Sequence, residues 1–330
     1  MLTQLLQYLF WISLLLAALY WLAGYYKKKV EHLLPPKGKF IQVKQHRIHY
    51  REYGQGPYLL LIHGLTGNTG DLCYKLAPKL AENFHVIVMD RLGCGYSSQT
   101  SEIYADISFQ ADLAADFLAA LNIKKAYIAG HSLGGAISLN FAVHHPEMTE
   151  ALLLISPVSM PTNQLPFPFT LLYFLRPDPV RRFASRFLVT PIAWSTRNLS
   201  IKSIFHPEPV PSNFAIEAEA LLGTRAEALY GASCDIFGCQ IGITPEMVVR
   251  YKEIKVPCSI LYGTADRILD YHKHGLALQY YIPQLEITLL ANKGHMITAS
   301  AYEQIASTAE QLKHRTETQN TLTTLQQNND

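Results

Sequence analysis

The pentapeptide Gly130-His131-Ser132-Leu133-Gly134 limits what this chain can fold into more than any other stretch of its sequence. Ala126-Tyr127-Ile128-Ala129 before it reads as a buried strand, and the run from Gly135 to Ala142 after it reads as a helix. A chain that turns from strand to helix at one residue strains that residue's backbone. Glycines two positions to either side let strand and helix approach each other, while the serine hydroxyl projects clear of the sheet. A bare Gly-x-Ser-x-Gly also arises by chance in a chain with 19 glycines, so the rest of the sequence must supply the partners of a nucleophile.

A serine hydroxyl attacks only when a histidine takes its proton, and that histidine needs a carboxylate to fix its tautomer. Downstream, Cys258–Gly263 reads as a strand and Asp266 follows in a loop; Leu285–Leu290 reads as another, followed by Asn292-Lys293-Gly294-His295. Both candidates fall just past the carboxyl ends of strands, where open α/β sheets place their chemistry. Asp270 and Asp235 are the alternative acids, and the Gly-x-x-Asp spacing favours Asp266.

The oxyanion of an acyl transfer needs two backbone donors. The residue after the nucleophile, Leu133, supplies one; the loop His63-Gly64-Leu65-Thr66-Gly67, entered from the strand Tyr58–Ile62, supplies the other through Leu65. Asp90–Ser97 follows a further strand, Phe84–Met89. In their order Ser132, Asp266, His295 and in both oxyanion loops, these motifs resemble the α/β-hydrolase superfamily across residues 40 to 313. The resemblance implies a mostly parallel central sheet with helices on both faces, and a serine hydrolase that needs no cofactor.

The chain has 13 histidines, most of them ordinary surface, cap or core residues. His131 should point away from the nucleophile and pack or hydrogen-bond, His63 should brace its own loop, and Asp90 should pair with nearby backbone or Arg91. Other chemistries lack their residues. Gly93-x-Gly95-x-x-Ser98 misses the third glycine of a dinucleotide fingerprint, no phosphate loop or His-Glu-x-x-His is present, and Cys234-x4-Cys239 has no second ligand pair for a metal. A formal net charge of +2 gives no nucleic-acid footprint, and five unpatterned cysteines suit a reducing compartment.

Residues 1–26 carry no charged side chain, and Tyr8 to Tyr26 is almost wholly apolar. At about 1.5 Å per residue such a helix matches the bilayer's hydrocarbon core of about 30 Å. A cleaved signal would place its basic residues first; here Lys27-Lys28-Lys29 follow the apolar run, which favours an uncleaved anchor with the carboxyl-terminal side in the cytoplasm. The sequence therefore divides into an anchor (1–26), a basic linker (27–39), a first core part (40–157), a helical cap (158–250), a second core part (251–313) and a polar tail (314–330) expected to be disordered.

The cap is inferred from the hundred residues between the strands Ala151–Ile155 and Cys258–Gly263, where ten of the 18 prolines fall between Pro157 and Pro211. Its apolar run Phe167–Leu175, followed by Arg176, Arg181, Arg182 and Arg186, either packs on the core or lies against lipid. Asp266-Arg267-Ile268-Leu269-Asp270 and Lys293-Gly294-His295 resemble the membrane-anchored monoacylglycerol lipases of the superfamily, although His-Ser-Leu stands at the nucleophile turn where that group has Thr-Ser-Met. The resemblance implies a lipid ester substrate at a bilayer. The alternatives are a carbon-carbon bond hydrolase acting on a diketo acid, and a catalytically silent membrane-tethered binding module.

Overall fold

The structure, a computed structural model, describes residues 1–162 and 177–327; the run Phe167–Leu175 and Arg176 therefore lie outside the described residues. Eight strands form one sheet: β1 (Lys39–Val43), β2 (His46–Tyr53), β3 (Tyr58–Ile62), β4 (His85–Met89), β5 (Ala126–His131), β6 (Thr149–Ile155), β7 (Cys258–Gly263) and β8 (Leu285–Leu290). Their order is β1-β2-β4-β3-β5-β6-β7-β8. β2 runs antiparallel to both neighbours, and β3 to β8 are mutually parallel.

Strands buried on both faces need apolar residues at consecutive positions, and alternate residues then face opposite layers. Leu60, Ile62, Ile128, Leu152 and Ile260 meet the helices Ile107–Ala120 and Leu133–His144 on one face. On the other, Leu59, Leu61, Ala129, Leu153 and Leu261 meet Leu76–Leu80 and the final helix Tyr302–Gln327 through Ile305, Ala309 and Leu312.

Between β6 and β7 the chain leaves the sheet. There the helices Asp178–Ala184 and Thr190–Phe205 are joined by a π-helical turn, Ser185–Val189, and are followed by Ala226–Gly242 and Pro245–Arg250. Pro179 occupies a first helical turn, where a missing N–H costs nothing.

The ends of the chain differ from expectation. The amino-terminal helix runs from Leu2 to Leu33, so residues 27–33 of the expected linker are helical. Their side chains explain this. Val30 and Leu34 are buried against Leu221 and Leu222, Lys27 pairs with Glu227 at 2.5 Å, and Glu31 pairs with Arg225 at 3.0 Å. The helix is long and apolar enough to cross a membrane. At the other end, residues 314–327 continue the final helix where a disordered tail was expected. Arg315 donates to Ser259 Oγ at 2.6 Å and pairs with Glu286 at 2.7 Å, and Thr316 is buried, so this segment has fixed partners that its polar composition hides.

Candidate active site

β5, in mid-sheet, delivers Ser132 to the first turn of the helix Leu133–His144. Its backbone lies at φ 56°, ψ −117°, a region that side chains avoid. The neighbouring structure enforces this. Ser132 N–H donates to the Ile155 carbonyl at 3.0 Å, and the Ser132 carbonyl accepts from Gly135 and Val158, each at 3.0 Å. A Cβ on Gly130 would lie 2.2 Å from the Gly134 carbonyl oxygen, and one on Gly134 would lie 2.1 Å from that of Ile62. Both glycines are therefore obligatory at the turn.

Ser132, Leu133, Leu65 and His295 border one cavity of about 290 Å³, lined mostly by apolar side chains. Gly67 N–H closes onto the Gly64 carbonyl at 3.2 Å, carrying Leu65 and Thr66 across a tight turn in which Thr66 takes φ 58°. A Cβ on Gly64 would sit 3.0 Å from that of Ser132, so this loop runs directly beside the serine. Leu133 opens its helix, where backbone N–H groups have no intrahelical acceptor.

Behind His295 lies Asp266. His295 Nδ1 is 2.7 Å from Asp266 Oδ2, while Asp266 Oδ1 accepts the N–H groups of Ile268 and Leu269 at 2.8 and 3.1 Å. Burial alone would raise this carboxyl; the His295 ring and the two backbone donors outweigh it and hold it below its ordinary value. Asp270 is exposed and caps a short helix while touching His272. Asp235 pairs with Arg91 at 2.8 Å. Neither alternative acid meets the histidine.

The bystander histidines have defined work. His131 Nε2 donates to the His295 carbonyl at 3.1 Å, bracing the loop that presents that ring. His63 Nε2 accepts the Arg91 N–H at 3.1 Å, and its Nδ1 donates to the Gly64 carbonyl at 2.9 Å. Burial drives both imidazoles down to about 3, so both are neutral at ordinary pH. Asp90 differs from expectation in one partner: it meets His49 at 2.6 Å and the N–H groups of Thr69 and Tyr96, not the Arg91 side chain.

Two long-range supports lie beyond any motif. Arg91 donates to the carbonyls of His63 (3.2 Å) and Gly64 (2.9 Å) while its charge is met by Asp235 on the helix Ala226–Gly242. Glu208, also from the segment between β6 and β7, accepts from Lys293 Nζ (2.8 Å), Gly294 N–H (2.9 Å) and Ser300 Oγ (3.0 Å), fastening the loop that carries His295. No spacing in the sequence signals Glu208, which stands 86 residues before Gly294.

A family model described as alpha/beta hydrolase fold matches residues 57–301. An uncharacterised protein of Mycobacterium tuberculosis is 27% identical over 278 residues, covering 81% of this chain and 78% of that protein. The 2-hydroxymuconate semialdehyde hydrolase of a Pseudomonas species is 34% identical over 134 residues, 39% of this chain and 47% of that enzyme. Among solved structures, a bacterial membrane phospholipase A superposes with a TM-score of 0.68 at 24% identity, covering 96% of this chain and 99% of that one.

Proposed function

The chain belongs to the alpha/beta hydrolase family, and from that premise we propose that it is a membrane-anchored serine hydrolase of lipid carboxylic esters. The observation that carries this reading is a strained serine at the sheet's centre sharing one apolar cavity with a histidine that is itself held by a buried aspartate. In this reading His295 deprotonates Ser132, which attacks the ester carbonyl, and the Leu65 and Leu133 N–H groups receive the charge that develops on the oxygen. Asp266 keeps the Nδ1 proton on His295 and steadies the imidazolium. His295 then protonates the departing alcohol, and water activated by the same ring releases the acid from the acyl-enzyme.

A single-chain lipid ester, of about the size of a monoacylglycerol, suits the cavity, which is lined by Val158, Val189, Ile201, Leu229, Ile236 and Ile268. The apolar helix Leu2–Leu33 supports anchoring, and Lys27, Lys28 and Lys29 at its end support a cytoplasmic catalytic domain. Residues 158–250 form the cap of this enzyme in the same reading. The carbon-carbon hydrolase alternative has the Pseudomonas relative in its favour and the long apolar amino-terminal helix against it.

Fluorophosphonate labelling of the membrane-bound protein tests the proposal. We expect an adduct on Ser132, lost in Ser132→Ala together with a fall in ester hydrolysis of about 10⁴-fold or more. Folded protein that resists the probe, or a Ser132→Ala variant that still hydrolyses esters, would refute it.

A further inference from the structure

One charged side chain in the cavity wall takes no part in this scheme. The cap helix Thr190–Phe205 turns one face to the cavity, with Ile192, Thr196 and Ser200 along one row and Ala193, Arg197 and Ile201 beside it. Arg197 is the sole lysine or arginine among the described lining residues. Elsewhere the arginines that line buried regions close on carboxylates: Arg51 on Glu219, Arg91 on Asp235, Arg181 on Glu102 and Arg225 on Glu31. Among the described residues Arg197 has no carboxylate partner. Its contacts are both to Trp194, whose carbonyl accepts from Nη1 and whose ring lies 4.6 Å from the guanidinium carbon.

The surroundings add to this. Asp71 is the one carboxyl among the described residues that border the cavity, and burial pushes it up to about 8, so at neutral pH it is mostly protonated and does little to cancel the charge of Arg197. Trp194 in turn stacks on Tyr26 at 4.7 Å, with Lys29 Nζ 5.6 Å from its ring. Tyr26 and Lys29 mark the end of the apolar run, which is the depth at which a bilayer becomes polar. An unneutralised cation beside an ester-sized apolar cavity, at that depth, fits a substrate whose charge is negative.

We propose that Arg197 is the recognition residue for an anionic group, a phosphate or a carboxylate, borne by the ester substrate, so that the cavity selects charged single-chain esters over neutral ones. The proposal rests on the ester-hydrolase reading of Ser132, but a binding experiment separates the two. Ser132→Ala protein in detergent micelles is titrated with lysophosphatidic acid, with the monoacylglycerol of the same chain, and with that monoacylglycerol's hemisuccinate. We expect lysophosphatidic acid to bind at least about 10-fold more tightly than the neutral ester, a preference that shrinks with added salt.

Ser132→Ala/Arg197→Lys should keep that preference and Ser132→Ala/Arg197→Gln should abolish it while still binding the neutral ester, which also reports that the variant is folded. Preference for the hemisuccinate as well would assign the contact to charge; preference for the phosphate alone would assign it to phosphate geometry. Equal affinity for charged and neutral esters, or a preference that survives Arg197→Gln, would overturn the proposal. Loss of hydrolysis by the native chain on every ester would sink the functional reading without touching these binding results.

Discussion

Arg91, just past β4, and Asp235, on the helix Ala226–Gly242, form an ion pair at 2.8 Å in which both side chains are almost wholly buried. The same guanidinium holds the carbonyls of His63 and Gly64, so that helix's carboxylate and the loop beside Ser132 are joined through one residue. Asp235→Asn would strand a buried cation. We expect a loss of about 3–5 kcal/mol in denaturant unfolding, with a drop in kcat in whatever fraction remains folded. A stability change under 1 kcal/mol would show that water or another group takes the aspartate's place.

On the proposed triad, Asp266 orients His295 while Asp270 only caps a surface helix. Asp266→Asn should lower kcat by about 10³- to 10⁴-fold, because an amide no longer favours the tautomer that leaves the other ring nitrogen of His295 free to accept a proton. Asp270→Asn, at an exposed helix cap, should remain within about two-fold of the native rate. Steady-state assays on one ester decide between them, and equal losses would mean that the acid is wrongly assigned.

Glu208 should act through position alone. In Glu208→Gln the side-chain shape is kept, but the charge that gathers Lys293, Gly294 and Ser300 is lost. Since small displacements of a general base are costly, kcat should fall by about 10-fold with KM little changed. A rise in KM alone would place Glu208 in substrate binding.

Three buried imidazoles set the acid limit of stability. Burial lowers His63 and His131 to about 3 and His274 to about 4, from 6.5 in the unfolded chain. Below pH 6.5 the unfolded chain binds protons that the folded one refuses. The contribution is therefore complete above pH 6.5 and is lost as pH falls toward 3, at up to about 1.4 kcal/mol per pH unit for each group. Urea midpoints at pH 7 and pH 5 should show this fall, and His131→Asn should make it shallower; a midpoint independent of pH would contradict it.

What the sequence makes legible follows the range of the interaction. The strands Tyr58–Ile62 and Cys258–Gly263 coincide with their apolar runs, because a doubly covered parallel strand depends on its own residues, and the edge strand Leu285–Leu290 coincides with its own run too. The glycines around Ser132 could be read for the same reason. Glu208 and the Arg91–Asp235 pair could not, since each joins segments separated by many tens of residues and leaves no period. The helical stretches at residues 27–33 and 314–327 escaped because their order comes from distant partners, Glu227 and Arg225 for one and Ser259 and Glu286 for the other.

The amino-terminal helix ends clamped to the helical segment between β6 and β7, with Tyr26 on Trp194, Lys27 on Glu227 and Glu31 on Arg225. On the membrane-bound reading the catalytic body then rides a stiff stalk, and the cavity hangs at a fixed height over one leaflet. Such an enzyme meets its substrate in two dimensions. Its rate should follow the mole fraction of ester in the surrounding leaflet, and inert lipid added at constant total ester should slow it by surface dilution.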